Sequence, residues 1–247
     1  MSLQSLSQKL IPALVAQAGI EVEPKCVRAI LGDQVAFVTA LEQASRWLLE
    51  GACETCWVGG VDSYLDPPTI EALSGLRVLR THDNPTAAMP GEVACFLELQ
   101  DIERALGIGQ RVLARIENFA KVSGATPRFS EDVPKADALN EAMIAAIEGT
   151  VVEHVLINLN GDPVRAAEWG HVLVRRTALR VGNNITTWFP PLYFGEIGTG
   201  TGPASLALLA QAWARDYAPA SRALVCLIGN GSTRAAVRVA APAGESR

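Results

Sequence analysis

Three observations predict an α/β fold with largely buried sheets: apolar helical stripes alternate with short apolar runs, glycine and Asp-Pro signals punctuate them, and 49% of the 247 residues are hydrophobic. With only 19% of residues charged, neither disorder nor a fibrous repeat fits. The formal net charge of −5 and the scattered Lys and Arg leave no basic footprint, so no nucleic-acid partner is expected. The longest apolar runs, such as ALVCLI at 223–228, fall far short of the roughly 20 residues of a membrane span. The opening MSLQSLSQKLIPALVAQAG is amphipathic rather than uniformly apolar, which argues against a secretory signal and for a cytoplasmic protein.

The elements follow in order. Residues 35–49 place Phe37, Leu41, Ala44 and Leu48 on one helical face, with Gly51 as the stop. CWVGG at 56–60 is a strand. PGEVACFLEL is a second, read as nearly continuously apolar and therefore buried on both faces. A short turn or helix is expected at Ile102–Leu106, then an extended segment from Val112 to Phe119. TPRFSEDVPKAD at 126–137 is the most loop-like stretch and divides the chain. Beyond it, ALNEAMIAAI reads as a helix, VVEHVLINL as a strand, and NGDPVRAAEWGHVLVRRT as a helix capped by Asp162 with Pro163 in its first turn. A glycine-rich turn then feeds a helix beginning near Pro203, and ALVCLIGNGSTRAAVRVAA closes the chain as a strand hairpin.

Five cysteines include one CxxC, Cys53 and Cys56. Zinc would need a second ligand pair, and His82, His154 and His171 do not stand at ligand spacing, so structural cysteines are favoured over a metal or redox site. Cys95 and Cys226 lie in apolar runs and read as core. The turn GEIGTGTGPAS lacks the lysine of a phosphate-binding loop and is a weak nucleotide site. No metal and no cofactor are expected. Asp62 and Ser63 read as satisfying backbone groups at a strand end, and Glu92 as positioning a turn. Arg165 and Glu168, three apart on a helix, read as a surface ion pair of little worth. The histidines read as packing or solvent-facing groups, and no Ser-His-Asp set is visible.

In order, these landmarks resemble the β-ketoacyl synthases of the thiolase superfamily. The helix ending in Gly and the strand ending in GGVDS resemble the segment after that family's nucleophile. PGEVACFLEL is similar to its GEGAA-type strand, and DIERALGIGQRVLARIENFA to the stretch that follows. FGEIGTGTGPASLALLAQA stands where the family has its GHTxxAAG turn and helix, and CLIGNGSTRAAVRV where it has a GFGGTNA hairpin. The resemblance spans residues 34–240 or so. It implies a thiolase-like layered fold of helices and mixed sheets in two related halves: residues 34–125 an incomplete N-terminal half, 126–247 a C-terminal half, and 1–33 a preceding segment with no assigned role.

The family's nucleophile is a cysteine at a strand–helix turn, where the helix N-terminus lowers the thiol pKa. Counting back from Gly51 places that position at Gln34, and Cys26 stands too early. The histidine of GHT falls on Thr199, and that of HGTGT falls near Asn158 and Asn160. Gln34, Asn158, Asn160 and Thr199 are therefore the candidate pocket at the family's catalytic positions, and an amide or hydroxyl there cannot supply imidazole proton chemistry near neutral pH. The resemblance implies a synthase-like protein without condensing activity. It would be a homo-oligomer or the partner of an active synthase subunit, binding acyl groups or an acyl carrier protein. The alternatives are an active acyl-thioester enzyme of the same fold, a ketoacyl synthase or malonyl-thioester decarboxylase, and an unrelated α/β protein.

Overall fold

A computed structural model of the chain describes residues 12–19, 22, 26–175 and 185–242. The elements are α1 (Ala36–Leu49), β1 (Thr55–Ser63), α2 (Pro67–Gly75), β2 (Glu92–Gln100), α3 (Ile102–Gly107), β3 (Arg115–Ser123), α4 (Asp137–Ile147), β4 (His154–Ile157), α5 (Pro163–Arg175), β5 (Thr186–Trp188), α6 (Pro191–Phe194), α7 (Thr201–Ala214), β6 (Arg222–Ile228) and β7 (Thr233–Ala240). A 3₁₀ turn, Gly198–Gly200, precedes α7.

Two sheets carry the architecture. The larger is mixed, with strand order β3-β7-β6-β4-β5, and the smaller is the antiparallel pair β1-β2. β4 runs parallel to β5 and β6, while β6, β7 and β3 form an antiparallel ladder. On one face of the large sheet, Leu139, Met143 and Ile147 of α4 and Trp169 and Val172 of α5 pack on Val155, Ile157, Leu224, Cys226 and Ala236. On the other, Phe37, Val38 and Leu41 of α1 and Leu206 and Leu209 of α7 pack on Leu156, Val225, Leu227 and Val237. Cys56 and Val58 of β1 join that second cluster from beyond the helices. The order of layers is helix, large sheet, helix, small sheet. Because α1 and α7 lie between the sheets, α7 must bury most of its surface, and its small residues Gly202, Ala204 and Ser205 allow close approach. A Cβ on Gly202 would stand 2.3 Å from a Phe37 ring carbon.

Most elements fall where the periodicity puts them. Gly51 adopts φ +68° just beyond α1, as its stopping role requires. Asp162 caps α5 by accepting from the Val164 amide at 2.8 Å; residues 176 and 177 of the predicted stretch lie outside the described residues. Three expectations change. β1 continues past the glycines to Ser63, because Gly59 and Gly60 face Phe96 and Cys95 in an unbroken ladder. β4 holds only four residues, since the chain leaves the sheet at Asn158. β2 is not buried on both faces: exposed and half-buried residues alternate along it, because helices cover only one side of the small sheet. The expected boundary at 125/126 falls between β3 and α4, and β3 pairs with β7 in the large sheet.

Candidate functional site

The turn into α1 is built by Asp33. Its carboxylate accepts from the Val35 amide at 3.1 Å and, across the molecule, from the Gly231 amide at 3.0 Å in the β6–β7 loop. A Cβ on Gly229 would lie 2.6 Å from that carboxylate, so glycine is needed where the loop approaches. This arrangement drives the next residue, Gln34, inward to 0% exposure.

Gln34 meets a residue that the sequence did not single out. Its Nε2 donates to Glu196 Oε1 at 2.9 Å. Glu196 is 4% exposed and takes three further donors: Arg165 Nη1 at 2.7 Å, Asn160 Nδ2, and the Gly198 amide at 3.2 Å. Burial alone would raise its pKa. The Arg165 guanidinium and the hydrogen bonds from Gln34, Arg165 and Gly198 outweigh that and hold the carboxyl below its ordinary value. Glu196 is thus a buried anion whose oxygens are occupied by protein donors and whose charge is offset by Arg165, and it is a poor base.

Asn160 also accepts from the Asp162 amide at 3.1 Å. Asp162 in turn pairs with buried Arg128. Asn158 is tied differently: its amide donates to the Ile228 carbonyl at 3.0 Å and accepts from the Ile228 N–H at 2.8 Å, while its own carbonyl accepts from Arg165 at 3.1 Å. Thr199 stands apart from the Glu196 cluster. Its N–H donates to Asp62 Oδ2 at 2.9 Å and its hydroxyl to the Val61 carbonyl at 3.3 Å, fastening the turn before α7 to β1. Gly60 makes this crossing possible, since a Cβ there would come within 2.6 Å of the Thr199 carbonyl. Of the four candidate residues, Gln34 and Asn160 meet at Glu196, Asn158 joins through Arg165, and Thr199 does not join.

The surface reading of Arg165 and Glu168 is corrected: both are 1% exposed and they serve separate partners. Arg165 holds Glu196 and Asn230, whereas Glu168 receives both of its hydrogen bonds from Arg234 Nε, at 2.8 and 3.0 Å. Beside the cluster, Tyr64, Leu79, Ala88, Pro90, Arg128 and Glu196 line a cleft of about 10 Å³, room for roughly one water. The Tyr64 hydroxyl is pushed up to about 12 by burial and by the carboxylates of Glu196 and Asp62.

Burial disfavours the thiolate at four of the five cysteines: it pushes Cys56 up to about 11 and also raises Cys53, Cys95 and Cys226. Cys26 lies against the Ala52 carbonyl at 3.6 Å, just past the C-terminal end of α1. A 14-residue helix, about 21 Å long, separates it from the Gln34 turn. Among the described residues, no group of three or more His, Cys, Asp or Glu side chains is placed to hold a metal.

The layered arrangement has close counterparts among solved structures. It superposes on the ketosynthase from module 6 of the bacillaene synthase of Bacillus subtilis 168 with a TM-score of 0.71 and 14% identity, covering 86% of this chain and 46% of that one. The fold is that of a ketosynthase. A β-ketoacyl synthase from Burkholderia phymatum STM815 gives a TM-score of 0.69 at 17% identity over 85% of this chain and 60% of that one. A type II polyketide ketosynthase bound to the hexaketide and in complex with its acyl-carrier protein gives 0.73 at 14% identity, over 94% of this chain and 66% of that one. The chain thus spans about half to two thirds of the length of these ketosynthases. No protein-family model matches the sequence, and no curated protein does. The thiolase-like layered fold expected from the ordered landmarks is the fold observed.

Proposed function

We propose that this chain is a ketosynthase-like protein without condensing activity, acting as a partner subunit or as a module that binds acyl groups or their carrier protein. One observation carries the reading. At the turn that resembles the family's nucleophile position stands Gln34, fully buried, with its amide nitrogen donated to Glu196 and its side-chain oxygen without a hydrogen-bond partner. An amide in that state is neither a nucleophile nor a proton donor to a thioester. Asn158 supports the same reading, because both ends of its amide are engaged by the Ile228 backbone. The shared fold with a ketosynthase solved together with its acyl-carrier protein makes a carrier protein the first partner to try.

The test is intact-protein mass measured after incubation with acyl and malonyl thioesters, with carbon dioxide release followed in parallel. No adduct and no turnover are expected, and saturable binding of an acylated carrier protein should be seen by calorimetry. Stoichiometric acylation or steady decarboxylation would replace this reading with that of an active thioester enzyme. A Gln34→Cys variant should at most acylate slowly and should not condense, since each missing acid–base group costs about 10²- to 10⁴-fold. Efficient condensation by the variant would show that the imidazoles are dispensable.

A further inference from the structure

Three thiols stand together past the C-terminal end of α1. The sequence marks Cys53 and Cys56 as a pair, and the structure sets Cys26 beside them. Cys53 lies in the connection from α1 to β1, and Cys56 is the second residue of β1. Their side chains share a hydrogen bond, and Cys26 is near enough for its charge to act on both. The Cys26 thiol donates to the Ala52 carbonyl at 3.6 Å, one peptide bond from Cys53. Cys26 and Cys53 are half-buried, whereas Cys56 is buried and packs inward with Val58 on the second core cluster.

The segment that carries Cys26 has little slack. Asp33 stands before α1 and Cys26 past its end, so the seven residue steps between them must cover a helix about 21 Å long. Fully extended chain covers about 23–25 Å in that many steps, and residues 27–32 form no helix or strand. They are a strap drawn out along the length of α1, and it ends at the Asp33 turn that buries Gln34.

We propose that Cys26 and Cys53 are a redox-sensitive pair, oxidised by a low-molecular-weight disulfide to a Cys26–Cys53 bond that fastens the strap at the end remote from Gln34. In the first step the Cys53 thiolate attacks the small disulfide, forming a mixed disulfide on Cys53 and releasing one small thiol. In the second the Cys26 thiolate attacks the Cys53 sulfur, the Cys26–Cys53 bond forms, and the other small thiol leaves. The two cysteines lose two protons and two electrons, and the small disulfide gains both as two thiols. Burial, and then the nearness of Cys26, raise Cys53; the hydrogen bond donated by Cys56 works the other way and favours the attacking thiolate. Bridging Cys53 to Cys56 would instead draw the Cys56 side chain out of the core and pull on its pairing with Leu99 in β1. Cys26 belongs to no strand, so closing the bond on it breaks no ladder.

This chemistry needs neither a carrier protein nor an acyl group, so it stands independently of the reading above. The purified full chain, reduced and then exposed to oxidised glutathione, should lose two hydrogens in intact mass and retain no glutathione. Peptide mapping without reductant should join Cys26 to Cys53. Cys26→Ser should stop with one glutathione held on Cys53, and Cys53→Ser should form no internal disulfide. Because the bridge closes a loop across α1, the oxidised wild type should melt about 5 °C higher than the reduced chain, and dithiothreitol should reverse the shift. A wild type that keeps all its thiols, a bridge between Cys53 and Cys56, or an oxidised chain that melts no higher than the reduced one would overturn the proposal. Mapping of the wild type decides the pairing even if a serine variant fails to fold.

Discussion

The two sheets of this protein treat the same kind of sequence differently. The large sheet has helices on both faces, and its central strands β6 and β7 are buried nearly end to end. The small sheet has α1 and α7 on one face only, and Trp57, Val61 and Phe96 stand outward at 58%, 62% and 58% exposure. An apolar strand is therefore no guarantee of a doubly covered one. What separates the two is how the polar groups are handled. Around the large sheet, the ion pairs of Arg165 with Glu196 and Arg234 with Glu168 are sealed in, whereas the small sheet's polar contacts, such as the hydrogen bond from the Trp57 indole to Glu98, are exposed.

The largest expected contrast comes from these charges. Glu196→Ala leaves Arg165 buried without its anion, and chemical denaturation should show a loss of about 3–5 kcal/mol. Glu98→Ala on the small sheet should cost under about 0.5 kcal/mol. Equal losses would mean that the Glu196 cluster is reached by water. A second contrast removes the same atoms from each sheet. Leu227→Ala, in the doubly covered sheet, should cost about 2–5 kcal/mol. Leu97→Ala, half-buried in β2, should cost about 1 kcal/mol.

Proton linkage sharpens the comparison further. His154 is fully buried in β4 against Trp188, neither ring nitrogen has a hydrogen-bond partner, and burial pushes its pKa down to about 4. The unfolded imidazole, near 6.5, takes up a proton before the folded one does. Stability is therefore intact above pH 6.5 and falls as the pH drops toward 4, by at most about 3 kcal/mol. Urea midpoints at neutral and mildly acidic pH should show this in the wild type and less of it in His154→Leu; identical pH dependence in the two would assign the loss to other groups. The smallest effect belongs to the outward face. Trp57→Thr should change the stability of the isolated chain by no more than about 0.5 kcal/mol in thermal melts.

The sequence made the helices legible because their signals are local. The stripe of Phe37, Leu41 and Ala44 and the Asp162-Pro163 cap each lie within a few turns of chain. Glu196 was not legible, because the partners that define it stand 162, 36 and 31 residues away in Gln34, Asn160 and Arg165. One local sign existed: a lone carboxylate in the stretch YFGEIGTG, where neither turn geometry nor solubility calls for it. Arg165 and Glu168 misled for a related reason. Spacing of three on a helix reports that two side chains share a face, and it says nothing of whether that face meets water or a buried partner. The outward side of β2 was equally out of reach, since continuous apolarity does not tell how many layers will cover a strand.

Asn158 carries a last consequence. By donating to and accepting from the backbone of Ile228, its side chain imitates a peptide group, so the β4–β6 ladder gains a rung beyond Ile157, where the strand itself ends. The main chain is free to turn away there toward Asn160 and the Asp162 cap without orphaning the end of β6. An imidazole has one donor and one acceptor on opposite sides of its ring and could serve only one of those two backbone groups. The asparagine at this position is thereby committed to lengthening the sheet.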